Sequence, residues 1–381
     1  PQNCVAHYRE DSIEVWAPTQ TPSDAVVGLE KLLDLPTDKI TLHQVRGGGG
    51  FGRRLENEYV REVALISRHV NAPVKLQWTR EDDMAFDYFR PAAFYGLKAG
   101  LDKTGRLIAW SNHAIAMSAD GKKPNSSAGI RFSSDEHFPK SMLADYRVSQ
   151  TLVESKTPTG PMRAPVSNTF AFAEQSFLHE LALANDRDHV EFLVESMGER
   201  RWTQPGNAWS INSGRAIDTI RQVADNAGWG RKLPKGRALG LSFYFSHAGH
   251  VAEIAEVSVD ADKKVDIHKV WVVADIGLVV NASGAENQCQ GSVIDAIGTL
   301  AAQSIRVKDG AVQESNLHQH PLARIDHRPQ IDVQFMQTDY PPTGMGEPAM
   351  PPLAAAVCNA IFSVTGERIR NLPISRQGFR I

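Results

Sequence analysis

Cysteine is scarce: Cys4, Cys289 and Cys358 are the only three in 381 residues. They are too few and too scattered for a disulfide framework, a zinc cluster or an iron–sulfur site. A metal working here must therefore arrive with ligands of its own. No apolar run is long enough to span a bilayer. No excess of one charge exists either, since 41 Lys and Arg are interspersed with 44 Asp and Glu for a net charge of -3. That balance gives no reason to expect nucleic acid or a membrane surface as partner. Neither a GxxxxGK[ST] loop nor a GxGxxG fingerprint with its distal acid is present, which argues against a nucleoside triphosphate, NAD or a flavin in a Rossmann fold. Internal repeats and low-complexity tracts are also missing. So is an initial methionine: the chain opens Pro1-Gln2-Asn3-Cys4 and runs straight into strand-like sequence, as expected of a processed chain or one piece of a larger subunit.

What is present is a globular composition, 42% hydrophobic and 22% charged, sufficient for a substantial core in two domains. The loop-rich zone Trp202 to Asn212 divides them, giving expected regions 1–205 and 206–381. In the first, Ser12 to Ala17 alternates as a strand, and Val26, Leu29 and Leu33 mark a helix. A short strand from Lys39 to Val45 follows, and Glu56 to Val70 reads as a helix. Pro73 to Trp78 is a strand, Leu97 to Ile108 a hairpin turning at Gly105, and Gly121 to His137 a polar surface excursion or a substrate lid. A helix begins near Ser167 with Phe170, Ala173, Phe177 and Leu181 on one face. In the second region Ser213 to Ala227 is a helix, and Val251 to Val259 alternates and returns through Val265 to Ala274. An apolar helix runs through Ala296 to Ala302.

Three stretches carry chemistry. Gly47-Gly48-Gly49-Gly50-Phe51-Gly52 lies between a strand and a helix and offers exposed backbone N–H groups to a phosphate or a pterin, or else is a structural turn. Thr157 to Pro165 presents Arg163 between prolines, ahead of a helix; alone it would also read as a surface ion pair. Pro342 to Pro352 holds Glu347 in a frame of glycines and prolines just before a helix that ends at Gly366. Glu347 is either a first-turn carboxylate favoured by the helix dipole or a general base. Phe243, Phe245 and His247 line a pocket or fill a core, and core is the fate expected of them.

Together these residues resemble the molybdenum hydroxylases, the xanthine oxidase and aldehyde oxidoreductase superfamily, and most of all bacterial large subunits of the isoquinoline 1-oxidoreductase and aldehyde dehydrogenase type. Five blocks carry the resemblance in order: Trp16 to Gln20, Gly47 to Arg54, Gly160 to Pro165, Asp275 to Gly291, and Gly344 to Pro352 with Thr365 to Pro373. The resemblance implies an α+β fold of mixed sheets with packed helices, as in molybdopterin-binding domains of the xanthine oxidase type. It implies a molybdopterin cytosine dinucleotide whose dithiolene, not the protein, holds a molybdenum with oxo and sulfido ligands. Glu347 then corresponds to the catalytic glutamate that deprotonates a molybdenum-bound hydroxyl, and Gln20 to a glutamine bonded to an oxo ligand. Gly49, Gly50, Phe51, Gly52 and Arg53 correspond to the loop over the metal–pterin centre, so a branched side chain at position 50 is expected to occupy the pterin's place. Arg163 and Ala164 correspond to a turn facing the metal site. Gln288 and Gly346 lie in cofactor-binding blocks.

The departures bear on substrate and partners. Leu55 stands where purine hydroxylases carry an acid, so an aldehyde or an electron-poor N-heteroaromatic fits better than a purine. Gln290 replaces a glutamate usual in its block. A Met-Gly-Gln-Gly cofactor segment is missing, and an N-terminal companion piece of the large subunit is expected to supply it. The resemblance further implies a small 2Fe-2S subunit, a cytochrome as a further acceptor, and a periplasmic setting. The rival reading is a subunit that carries or frames the pterin without performing chemistry.

Overall fold

The computed structural model describes residues 1–125, 138–325 and 328–381. The polar stretch read as an excursion or lid lies for the most part outside them. Alternation in β1 (Asn3–Arg9) and β2 (Ser12–Ala17) sends Ala6, Ile13, Val15 and Ala17 into one core. That core is closed by Leu29 and Leu33 of α1 (Pro22–Leu33) and by Val60 and Val63 of α2 (Glu58–Val70). With β3 (Ile40–Gln44) and β4 (Val74–Gln77) the strands form one sheet in the order β3-β2-β1-β4. Strands β2 and β3 are parallel and end together at Ala17 and Gln44, so the segments leaving both start side by side. Crevices beyond the carboxyl ends of neighbouring parallel strands are favoured places for ligands.

After the short α3 (Arg80–Ala85), a second sheet pairs β5 (Ala93–Leu101) antiparallel with β6 (Leu107–Ser118), and β6 parallel with β7 (Asp145–Glu154). Next come α4 (Ser167–Ala184), α5 (His189–Ser196) and α6 (Ser213–Ala227), the last capped by Asn212 Oδ1 accepting from Arg215 N–H at 3.1 Å. The buried side of α4 is Phe170, Ala171, Glu174, Gln175, Leu178 and Ala182. Ala173, Phe177 and Leu181, expected on that face, are half-buried, because the helix is wrapped nearly all round and apolar spacing alone does not single out a face.

The third sheet joins β8 (Arg237–Ser246), β9 (Gly249–Val259) and β10 (Val265–Asp275) as antiparallel neighbours. Beyond them lie α7 (Ala282–Ala301), the short pair β11 (Val307–Lys308) and β12 (Ala311–Val312), β13 (Gln330–Phe335) parallel to β10, and α8 (Pro351–Thr365). The alternation along residues 251–259 is real, but both faces are covered. Val251, Ala255 and Val257 pack under α7 and α8, and Ala252 and Ile254 pack against α5 and α6. Helix α8 crosses β8 at Gly240, where a Cβ would stand 2.1 Å from Ala356 O, so only glycine admits the helix. Asn359 Nδ2 then donates to Leu241 O at 3.1 Å.

One buried ion pair fixes the connections that lead to the carboxylate frame. Arg215 donates from Nε to Asp275 Oδ2 at 2.7 Å and from Nη2 to Oδ1 at 2.6 Å. Asp275 Oδ1 also accepts from Gly277 N–H at 3.1 Å and from Thr338 Oγ1 at 3.0 Å. The segment before Glu347 is tied down next: Leu278 N–H donates to Tyr340 O at 3.0 Å and Thr343 N–H to Ile276 O at 2.9 Å. The fold is α+β with mixed sheets.

Candidate active site

The glycine-rich segment leaves β3 after Val45 N–H has bonded Ala17 O at 3.1 Å. Among the described residues, the N–H groups of Gly47, Gly48, Gly49 and Gly50 donate to no protein acceptor. Gly52 has φ +94° and donates its N–H to Gln20 Oε1 at 3.3 Å. A Cβ there would lie 2.4 Å from Pro161 O, so the segment reaches the Arg163 turn only because residue 52 is glycine. Phe51, also at positive φ, accepts Arg163 N–H on its carbonyl at 2.9 Å and leaves its ring 58% exposed. Thr19, Gln20, Arg46, Arg54 and the glycines line a cavity of about 370 Å³.

The Arg163 turn is held from beneath by Arg90, a residue that sequence reading missed. Its guanidinium donates to Arg163 O at 2.7 Å, Pro165 O at 3.1 Å and Ala164 O at 3.3 Å, and burial brings its pKa down to about 10. With its carbonyls so engaged, Ala164 takes φ +53° and aims its N–H at Glu347 Oε1, 3.0 Å away. The Arg163 side chain gathers the remaining parts. Nε donates to Gly346 O at 2.8 Å, and Nη2 donates to Gln288 O at 3.1 Å and to Gln288 Oε1 at 3.0 Å. Nη1 lies 3.7 Å from Asp295 on α7, and the guanidinium stands 5.9 Å from the Phe51 ring centre.

Glu347 sits one turn ahead of α8, with Pro351 and Pro352 opening that helix. Its side chain is one-third exposed, and its second oxygen, Oε2, lies 2.7 Å from His247 Nε2. Burial by itself would raise this carboxyl, but the His247 hydrogen bond and charge, the Ala164 N–H and Arg163 outweigh it and hold the pKa below the ordinary 4.5. Glu347 is therefore an ionised proton acceptor at neutral pH, made so by donors rather than by dryness.

The structure thus joins Gln20, Gly52, Phe51, Arg163, Ala164, Gln288, Gly346 and Glu347 through one chain of contacts. Arg53 points elsewhere: its guanidinium pairs with Glu58 and Asp87 and faces the Tyr88 ring, away from the glycine surface. At Gly50 a Cβ would stand 2.4 Å from Gln20 Oε1, so a larger residue there meets the glutamine. Gln290 Nε2 bonds Glu286 one turn away at 3.1 Å. Phe243 and Phe245 are core, as expected, whereas His247 is at the site and not in the core. Its place in a two-residue turn between β8 and β9, where Asn-Gly would be usual, was the available signal.

These residues fit an oxygen-rich, anionic organic cofactor. Unpaired N–H groups line one wall, the arginines Arg46 and Arg54 flank it, and a Cβ added at Gly48, Gly344 or Gly346 would meet nothing within 4 Å. Among the described residues no group of three or more His, Cys, Asp and Glu is placed to hold a metal.

A family model described as molybdopterin cofactor-binding domain matches residues 1–195, and a second of the same description matches 207–329. The isoquinoline 1-oxidoreductase subunit beta of Brevundimonas diminuta is 28% identical over 98% of this chain and 48% of its own length. A membrane-bound aldehyde dehydrogenase (pyrroloquinoline-quinone) of Gluconacetobacter polyoxogenes is 27% identical over 98% and 51% respectively. The chain thus spans about half the length of these curated relatives. Quinoline 2-oxidoreductase from Pseudomonas putida 86 shares the fold, with TM-score 0.81 and 15% identity over 98% of this chain and 72% of that one. With the glycine segment, Arg163 and Gln288 inside the two matched regions and Glu347 following the second, the chain belongs to the molybdopterin cofactor-binding domain family, on the large-subunit side of the molybdenum hydroxylases.

Proposed function

We propose that this chain forms the substrate-oxidising part of a molybdenum hydroxylase that acts on an aldehyde or an electron-poor N-heteroaromatic, with Glu347 as general base. The observation that carries this is the ionised Glu347 carboxylate, held by Ala164 N–H and His247 and joined to the glycine-rich segment through Arg163, which bonds Phe51 O and Gly346 O. When bound, a molybdopterin cytosine dinucleotide would supply the dithiolene-held molybdenum and its two-electron redox chemistry. The protein's own residues do the rest. The N–H groups of Gly47 to Gly50, with Arg46 and Arg54 beside them, would hold the oxygen-rich parts of that cofactor. Gln20 keeps its Oε1 on Gly52 N–H, which leaves its amide N–H₂ as donor to an oxygen in front of it. Phe51 covers the arginine hub and excludes water on that side.

Glu347 would take up and hold, on its carboxylate oxygens, the proton released from water during the oxidation, and its two fixed hydrogen bonds spare the carboxylate a search through rotamers. Leu55, 37% exposed, offers no charge to a purine. Three free, buried cysteines leave electron exit to a small 2Fe-2S subunit, with a cytochrome beyond it. A companion piece of the large subunit would complete the cofactor site across the open faces of Gly344 and Gly346, in a periplasmic assembly.

Elemental analysis of the purified native assembly, with denaturing mass spectrometry of every chain in it, tests this reading. Molybdenum near one atom per copy, with iron and at least one further polypeptide, is the expected result. A folded, complete assembly without molybdenum would overturn it.

A further inference from the structure

The hairpin between β8 and β9 is closed by two residues, His247 at φ +51° and Ala248 at φ +62°. Type I′ geometry of this kind normally calls for Asn-Gly, because side chains with a Cβ are strained in it. A histidine kept there has a reason in its ring. His247 Nε2 lies 2.7 Å from Glu347 Oε2, and Nδ1 lies 2.7 Å from Ser246 Oγ. Ser246 is fully buried, and its hydroxyl reaches Ser167 Oγ at 2.8 Å, at the first residue of α4. A four-membered chain, Ser167–Ser246–His247–Glu347, therefore ends on the carboxylate oxygen that Ala164 does not hold.

We propose that His247 is the positioning residue of Glu347 and that its charge state sets the base strength of that carboxylate; the proposal rests on the reading of Glu347 as the base. Ser246 makes this reversible. When its O–H donates to Ser167, its oxygen accepts Nδ1–H and the ring carries both protons, so an imidazolium faces the carboxylate. When the ring loses the Nδ1 proton to water at its exposed edge, Ser246 rotates, donates to Nδ1 and accepts from Ser167. Nε2–H stays on Glu347 Oε2 in both states, so the carboxylate keeps its place while the neighbouring positive charge comes and goes. Loss of that charge makes Glu347 the stronger base. The acid limb of the turnover profile is thus set by His247 while Glu347 remains ionised. Among the described residues, Arg163 and Arg90 are the other charges that act on Glu347, and Asp295 faces the two arginines. On the far side of the hairpin the buried His250 ring is engaged by Asn212 N–H at 3.0 Å and is not part of the pair.

Two measurements on the full assembly test this. The first is histidine ring NMR titration of the wild type and of Glu347→Gln, with His247 assigned by its loss in His247→Gln. The proposal expects the His247 titration to move to lower pH once the carboxylate is gone, and an unmoved titration overturns it. The second is the pH dependence of kcat and KM. His247→Phe, without a donor, should lower kcat by roughly 10- to 100-fold with KM and molybdenum content nearly unchanged, the usual effect of losing an orienting partner. His247→Gln keeps an N–H for Glu347 but cannot titrate. It should recover part of kcat and lose the acid limb, and an unaltered limb in His247→Gln would contradict the proposal. The Glu347→Gln protein separates the two readings: undiminished turnover removes the base assignment, whereas an unmoved His247 titration removes the pair.

Discussion

Glu347, one-third exposed, and Glu174, fully buried, have acidities that move in opposite directions. Glu347 receives the Ala164 N–H and His247, which favour its charged form. Glu174, inside α4, is fully buried, and burial outweighs its Asn112 and Tyr244 donors and pushes its pKa up to about 8. Glu174 is thus protonated in the folded protein and ionised near 4.5 once unfolded, so the folded state binds the extra proton. Its contribution to stability is complete below about pH 4.5 and is lost as pH rises toward 8. Glu174→Gln should remove a pH-dependent loss on the order of a few kcal/mol. In thermal unfolding the variant should gain on the wild type at pH 8 and not at pH 5; an equal gain at both would mean that Glu174 is not protonated in the fold. Of the two, the sequence singles out Glu347, since glycines and prolines frame it. Its partners are not legible there: Ala164 N–H and His247 reach it from positions 183 and 100 residues away in the chain, and Arg90 supports the Arg163 turn from a segment without any motif.

At the scale of elements, sequence pattern located most of what holds the site. Helix α6 spans the expected Ser213–Ala227, and α8 ends on a left-handed Gly366 as its stop signal indicates. Helix α7 starts at Ala282, some way before the apolar stretch, because its first turns are exposed and polar and carry no periodic signal. Periodicity also could not show that β9 is covered on both faces, which follows from the arrival of α6 and α8 from elsewhere in the chain. The connection from β10 to the Glu347 loop depends on Asp275, whose carboxyl would be raised by burial but is held below its ordinary value by Arg215. Asp275→Asn leaves the buried Arg215 charge without its partner, and loss of about 3–5 kcal/mol of stability is expected. Denaturant unfolding checks this. A loss below about 1 kcal/mol would mean that Arg215 finds water or another acceptor, and that the pair does not anchor the loop.

Across the whole molecule the site belongs to no single region. Gln20 and the glycine segment come from the first sheet, the Arg163 turn from the start of α4, Gln288 from α7 and Glu347 from the approach to α8. Arg163 ties them together, with its backbone on Phe51 and its guanidinium on Gly346 and Gln288. A sequence displays such blocks in order but not their meeting, which is decided by close approaches such as Gly52 against Pro161. On the reading proposed above, this assembled frame holds a cofactor for one catalytic carboxylate. Turnover and molybdenum content, measured on one preparation of the Glu347→Gln assembly, test it most directly. The account predicts molybdenum close to the wild-type level and turnover lower by ~10²–10⁴-fold, the range a general base supplies. Turnover near that of the wild type, with molybdenum in place, would contradict it.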